Sequence, residues 1–226
     1  MVPTHDLTRE DISRAARFAT RILRQRGLTC CLFGSAGCDY WADIGRVPGD
    51  VDIIVIPEDN ENAEDIKDLI VEEDSRFYLI ASRRPLATHR VLWCQLPDYQ
   101  STQRALKVDI LIPSTDNINI PSLDKRTITR LRHIPVMDLF GLLLLKVQGW
   151  QDRRMSDRLD FIAKLETDVS DIEALLVEAK SRGIRLRRER RRAWDEDFIE
   201  RGETHVEEFV KIHGFRKEFR RLGFST

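Results

Sequence analysis

The stretch that most restricts the fold runs from Cys31 to Val55 and reads CLFGSAGCDYWADIGRVPGDVDIIV. The apolar LTCCLFGS reads as a short strand that ends on Gly34-Ser35, and AGCDYWADIG reads as a short helix. DVDIIVIP reads as a second strand, closed by Pro57. In that strand, side chains two apart share a face, so Asp50 and Asp52 lie on one side and Val51, Ile53 and Val55 on the other. Two ionised carboxylates about 7 Å apart along the backbone repel each other and resist burial. Such a pair needs either a solvated strand end or a cation between its members.

A third carboxylate, Asp109, sits in ALKVDILIP, a similar apolar strand with its own closing proline four residues on. Three carboxylates on neighbouring strands can hold one or two Mg²⁺ (or Mn²⁺) ions, hard cations that prefer oxygen ligands. Metals so placed activate a hydroxyl and stabilise a leaving pyrophosphate in an in-line displacement. A lone Asp-x-Asp is more often a strand-start residue and its neighbour, but the residues before it change the balance. Gly34-Ser35 lies 15 positions ahead of Asp50, where a strand gives way to a helix. Glycine lets a phosphate approach the backbone, and a helix N-terminus offers unpaired N–H groups and a positive dipole end.

Around these strands the chain reads as α/β (α+β). DLTREDISRAARFATRILRQRG places Ile12, Ala15, Ala16, Ala19, Ile22 and Leu23 at helical spacing, with Thr8 or Asp6 as cap and Gly27 as stop. NAEDIKDLIVEED reads as an amphipathic helix, and FYLIAS, HRVLWCQL and ALKVDILIP as strands. From about Asn117 the texture changes: NINIPSLDKRTITRLRHIPVM reads as a connector, and everything after it as helix, with segments starting near Met137, Arg158, Val169, Arg187 and Thr204. The expected organisation is therefore a catalytic domain over residues 1–125, a mixed sheet with flanking helices, and an all-helical lobe over residues 126–226.

Charge is split along the chain. Residues 1–120 hold 14 Lys/Arg against 19 Asp/Glu, and the remainder holds 23 against 19, within a formal net charge of -1. The balance excludes a global pull toward nucleic acid or membrane, while an acidic first half suits metal-binding carboxylates. Cys30, Cys31, Cys38 and Cys94 form no CxxC pair, and the five histidines (His5, His89, His133, His205, His213) show no metal spacing. These are expected to be reduced thiols in a cytoplasmic protein, with the nucleus equally compatible. The longest apolar run, GLLLLKV, is too short to span a bilayer.

Apolar–Gly-Ser, a short spacer, Asp-x-Asp among apolar residues and a later strand aspartate together resemble the nucleotidyltransferase superfamily related to DNA polymerase β. Here these are LFGS, GDVDIIV and KVDILI, over roughly residues 30–113. The resemblance implies that Gly34 and Ser35 hold the phosphates of an incoming NTP. It implies that Asp50 and Asp52 bind Mg²⁺, and that Asp109 completes the site as metal ligand or general base. Downstream, LLLLK…DRR…K…DVSDIEALL is similar to the C-terminal part of the AbiEii/MenT-like branch, toxins of bacterial abortive-infection and toxin–antitoxin systems. Stand-alone proteins of that kind also occur in fungi. That likeness carries Lys146 and Asp168 over as nucleotide-binding residues, with Asp171, Asp157 and Asp160 as alternatives to Asp168.

Lys146 itself falls on an apolar helical stripe with Leu139, Leu142, Leu143 and Trp150, where a lysine needs an anionic partner or a route to water. Arg182–Arg192 holds seven arginines and is followed by Trp194, a composition that suits phosphate and base contacts with an RNA. The acidic DEDFIERGE beyond it can equally neutralise the run on a solvated helix. The expected function is transfer of NMP from an NTP to a hydroxyl of an RNA such as a tRNA 3′ end, a protein or a small molecule. The alternative is a catalytically idle module with the same fold that binds nucleotide or RNA. The residues do not specify an oligomeric state.

Overall fold

The structure is a computed structural model that describes residues 7–58, 61–83, 88–96, 104–113, 119–185 and 193–226. The chain opens with α1 (Arg9–Gln25), capped by Thr8, whose hydroxyl accepts from the Asp11 N–H while the Asp11 carboxylate accepts from Thr8. The stripe Ile12, Ala15, Ala16, Ala19, Ile22 and Leu23 is buried. Then follow β1 (Thr29–Phe33), α2 (Gly34–Trp41), β2 (Asp50–Ile56), α3 (Ala63–Glu73), β3 (Phe77–Ala81), β4 (Arg90–Gln95) and β5 (Ala105–Leu111).

Two short strands, β6 (Ile128–Leu131) and β7 (Ile134–Met137), lie inside the segment that reads as a connector. They are joined by Arg132 and His133, both at positive φ (48° and 68°). A tight turn of this kind is ordinarily announced by Asn-Gly or Asp-Gly. Here an Arg-His pair makes it, which is why periodicity and turn chemistry overlook the hairpin.

Among the described residues the strands form one seven-stranded sheet in the order β3-β4-β5-β2-β1-β7-β6. It is mixed: β2 runs parallel to β5 and β1 parallel to β7, whereas β1–β2, β3–β4 and β4–β5 are antiparallel. Helices α1 and α3 pack on the strands. The face they cover carries Val51, Ile53, Val55, Leu92, Leu106 and Val108, all fully buried. Alternate residues point to the other face, and that is where the aspartates go.

The chain divides into two compact units. The first comprises residues 1–37, 46–120 and 130–136, and the second residues 38–45, 121–129 and 137–226. The second is built on α4 (Leu139–Arg154), α5 (Leu159–Ile162), α6 (Leu165–Ser181), α7 (Glu196–His213) and α8 (Arg216–Leu222). Helix α4 is apolar on nearly every side and packs against α6 and α7. Its Trp150 meets Phe209 edge-on at 5.0 Å, and Phe209, Phe219 and Phe224 extend the aromatic core. Gly141 in the first turn of α4 gives Trp194 its place: a Cβ there would lie inside the indole.

Candidate functional site

The aspartates are brought together by register. In the parallel β2–β5 ladder Asp52 stands opposite Asp109, and Asp50 opposite Lys107. All four side chains therefore emerge on the sheet face away from the buried valines. One carboxylate oxygen from each of Asp50, Asp52 and Asp109 lies within 4.8 Å of the others, and the three residues are half-buried. The separation and the all-oxygen donor set suit a hard divalent cation.

Lys107 is the site's own cation. Its ammonium pairs with Asp109 Oδ2. Burial works against that charge, but Asp109, and after it Asp50 and Asp52, outweigh the cost and hold Lys107 above the ordinary lysine value. The sequence did carry a signal for it, since Lys107 sits two positions before Asp109 and shares its face.

Gly34 closes the site from the side of β1. The last residue of that strand, Phe33, is opposite Asp52, so the next residue turns into α2 directly beside the Asp52 carboxylate. Gly34 adopts φ +61°, and a Cβ there would overlap Asp52 Oδ2 and stand 3.0 Å from its Cγ. Only glycine satisfies both the backbone and the space. Ser35 follows, its hydroxyl accepting a 2.9 Å hydrogen bond from Nη2 of Arg46. Arg46 in turn is tied to α1, because Arg9 Nη2 donates to its carbonyl at 3.4 Å. Sequence reasoning missed Arg46, which no periodicity or motif singles out.

Lys146 and Asp168 belong to the second unit. The Lys146 ammonium is buried and donates to Asp171 Oδ2 at 2.7 Å, with Asp168 Oδ1 at 4.0 Å. Asp168 pairs with Arg153. Burial opposes the lysine's charge, yet Cys38 and the Asp171 and Asp168 carboxylates hold it above its usual value. Of the four candidate aspartates, Asp168 and Asp171 therefore surround Lys146, Asp171 being the nearer. Asp160 is exposed and pairs with Arg158. In the arginine run, residues 186–192 lie outside the described residues; Arg182 pairs with Glu178 and lies 5.1 Å over the Trp41 ring.

The four cysteines form no disulfide and are buried, and burial pushes the Cys30 and Cys94 thiols up to about 12. Neither is a nucleophile at neutral pH. Among the described residues no helix is long and apolar enough to cross a membrane.

No protein-family model matches the sequence, and no curated protein matches it. Solved structures do. An antigenic nucleotidyltransferase-like protein from Paracoccidioides brasiliensis overlays with a TM-score of 0.65 at 12% identity, covering 93% of this chain and 92% of that one. A protein of H. pylori follows at a TM-score of 0.44 and 11% identity, over 96% of this chain and 99% of that one. The antibiotic-resistance factor ANT(2'')-Ia follows at 0.39 and 13%, over 78% and 94%. The first, with its overlay running through nearly the whole of both chains, gives this chain a nucleotidyltransferase-like fold.

Proposed function

We propose that the chain is a metal-dependent nucleotidyltransferase that moves a nucleoside monophosphate from an NTP to a hydroxyl and releases pyrophosphate. The observation that carries this reading is the trio Asp50, Asp52 and Asp109, converging within 4.8 Å on one sheet face. The fold likeness and the Gly34 backbone against Asp52 support it.

In this reading Asp50, Asp52 and Asp109 hold Mg²⁺ or Mn²⁺, which supplies charge neutralisation at the triphosphate and lowers the pKa of the acceptor hydroxyl. Asp109 takes the acceptor's proton as its oxygen attacks the α-phosphorus, and the bond from that phosphorus to the pyrophosphate oxygen breaks. Gly34 and Ser35 present backbone N–H groups at the start of α2 to the phosphates. Arg46, held against Ser35, adds a fixed positive charge there. Lys107, paired with Asp109, sets a positive charge beside the carboxylates. Lys146 and Asp168 carry over from the family likeness as nucleotide-binding residues, with Asp171 anchoring the lysine.

The test is incubation with each labelled NTP, Mg²⁺ or Mn²⁺, total RNA and lysate, with pyrophosphate measured. Release that Asp50→Ala and Asp52→Ala abolish is the expected result. Metal-dependent NTP binding without pyrophosphate release, whatever acceptor is offered, rejects transfer in favour of an idle nucleotide-binding module.

A further inference from the structure

The cross-strand row that contains Asp50 does not end at the metal site. Asp50 on β2 is opposite Lys107 on β5, Lys107 is opposite Trp93 on β4, and Trp93 is opposite Tyr78 on β3. Side chains in one such row stand on one face. Asp50 is thus followed, strand by strand, by a cation, an indole and a phenol, on the face that α1 and α3 leave alone.

We propose that this face receives the 3′ end of a single-stranded nucleic acid, whose last bases stack on Trp93 and Tyr78 and whose terminal hydroxyl reaches Asp109. The proposal rests on the nucleotidyl-transfer reading for its chemistry and adds the acceptor class. Three observations carry it. First, Trp41, Trp150 and Trp194 are buried, whereas Trp93 is half-buried on an outward face, and Tyr78 beside it is half-buried too. An indole kept partly open next to a second ring costs apolar burial that the other tryptophans obtain.

Second, the two rings sit on adjacent antiparallel strands at directly opposed positions, the arrangement by which a sheet presents one ring per base to an unpaired strand. Third, the distances fit. Trp93 is diagonal to Asp109 across the β4–β5 ladder, about 7–8 Å away. That is the reach from a stacked base to the hydroxyl of the following nucleotide. Lys107 lies between them, where a phosphodiester linking the two nucleotides would pass. A protein hydroxyl or a small polar acceptor does not call for two rings in line with the metal site.

The step itself is unchanged. The terminal 3′ oxygen bonds to the α-phosphorus, its proton goes to Asp109, and pyrophosphate leaves.

The experiment measures anisotropy of 5′-fluorescein hexa-adenylate with the full chain, without NTP. Hexa-deoxyadenylate and a duplex of the same length run in parallel. The single strands are expected to bind and the duplex to bind more weakly; the two single strands tell RNA from DNA. Trp93→Leu keeps an apolar side chain but no π-face, and should weaken binding about 5- to 150-fold, the loss of one base–aromatic stack. Trp93→Phe should restore most of it, and Tyr78→Leu should weaken binding on its own.

Parent protein that binds neither single strand overturns the proposal, as does Trp93→Leu binding as tightly as the parent, or a duplex binding equally well. The two readings fail separately. Pyrophosphate release onto a protein or small-molecule acceptor with no oligomer binding removes the platform and leaves transfer. Oligomer binding lost in Trp93→Leu, with no pyrophosphate under any condition, removes transfer and leaves the platform.

Discussion

Replacing Gly34 with alanine tests whether the strand-to-helix turn and the metal site are one construction. Two costs arise at this position. The backbone sits at φ +61°, where a Cβ crowds the following carbonyl and costs about 1–2 kcal/mol. Separately, the new methyl overlaps Asp52 Oδ2 and stands 3.0 Å from Cγ and 3.3 Å from Cβ of that residue. Turning the carboxylate about its last torsion relieves the oxygen, but Cγ must still retreat by some tenths of an ångström to reach an ordinary contact near 3.4 Å. Both adjustments swing Asp52 away from Asp50 and Asp109. A displacement approaching 1 Å in a reacting group costs about 100-fold in rate. The control is Gly183→Ala, at φ +62° with nothing within 4 Å, which carries the same backbone cost and touches no ligand. Melting curves with and without Mg²⁺, together with pyrophosphate release, read both variants. Without metal Gly34→Ala should lose at least as much stability as the control, and it alone should lose the Mg²⁺-dependent rise and most of the turnover. Equal metal response and equal turnover in Gly34→Ala and Gly183→Ala would refute the link between the turn and Asp52.

Asp50→Asn removes one of three converging carboxylates, so the metal-free protein should melt no lower than the parent, within about 1 kcal/mol, while the Mg²⁺-dependent rise disappears in differential scanning fluorimetry. Lys146→Met leaves Asp171 buried without its ammonium and should cost about 3–5 kcal/mol by urea unfolding, whereas the double change Lys146→Met with Asp171→Leu should recover much of it. Burial holds His205 below the usual imidazole value of 6.5, against the pull of Asp152 and with Arg201 adding to the depression. The unfolded chain therefore takes up this proton at a higher pH than the folded one, and stability should fall as pH drops from about 7 through 6.5 and below. His205→Phe should flatten that slope in part, because His213 is depressed by burial as well.

Local pattern revealed the elements whose register is set by their own side chains. The period-two alternation of DVDIIV and KVDIL, and the helical stripe from Ile12 to Leu23, came through because one face of each is buried and the chain repeats that fact every turn or every other residue. The β6–β7 hairpin did not come through. Its strands are short, Pro135 interrupts the second, and an Arg-His turn replaces the glycine that marks such a bend. The carboxylate trio was legible as three residues on similar strands, but that Asp52 faces Asp109 is a property of the parallel ladder, made across more than fifty residues of chain. The same holds for Trp93 and Tyr78, which share a row with Asp50 only through three successive strand pairings. In the sequence Asp171 is one aspartate among four, and only the packing of α6 on α4 puts its carboxylate against Lys146.

The charge balance of the site follows from that register as well. Asp50, Asp52 and Asp109 with Lys107 leave a formal charge of about -2 on one sheet face when the carboxylates are ionised and the lysine is protonated. Three carboxylates without Lys107 would repel one another and loosen the ladder. With it, the face can fold with its ligands ionised and still attract a divalent cation, whose two charges complete the neutralisation. Removing the lysine's charge by Lys107→Met should therefore have opposite effects on the two states. The metal-free protein loses stability through unrelieved repulsion, and the apparent affinity for Mg²⁺ rises because the cation no longer meets a competing ammonium. A lysine that merely decorated a wet strand would change neither, so calorimetric Mg²⁺ titration of this single variant separates an electrostatically balanced metal site from an incidental cluster of surface acids.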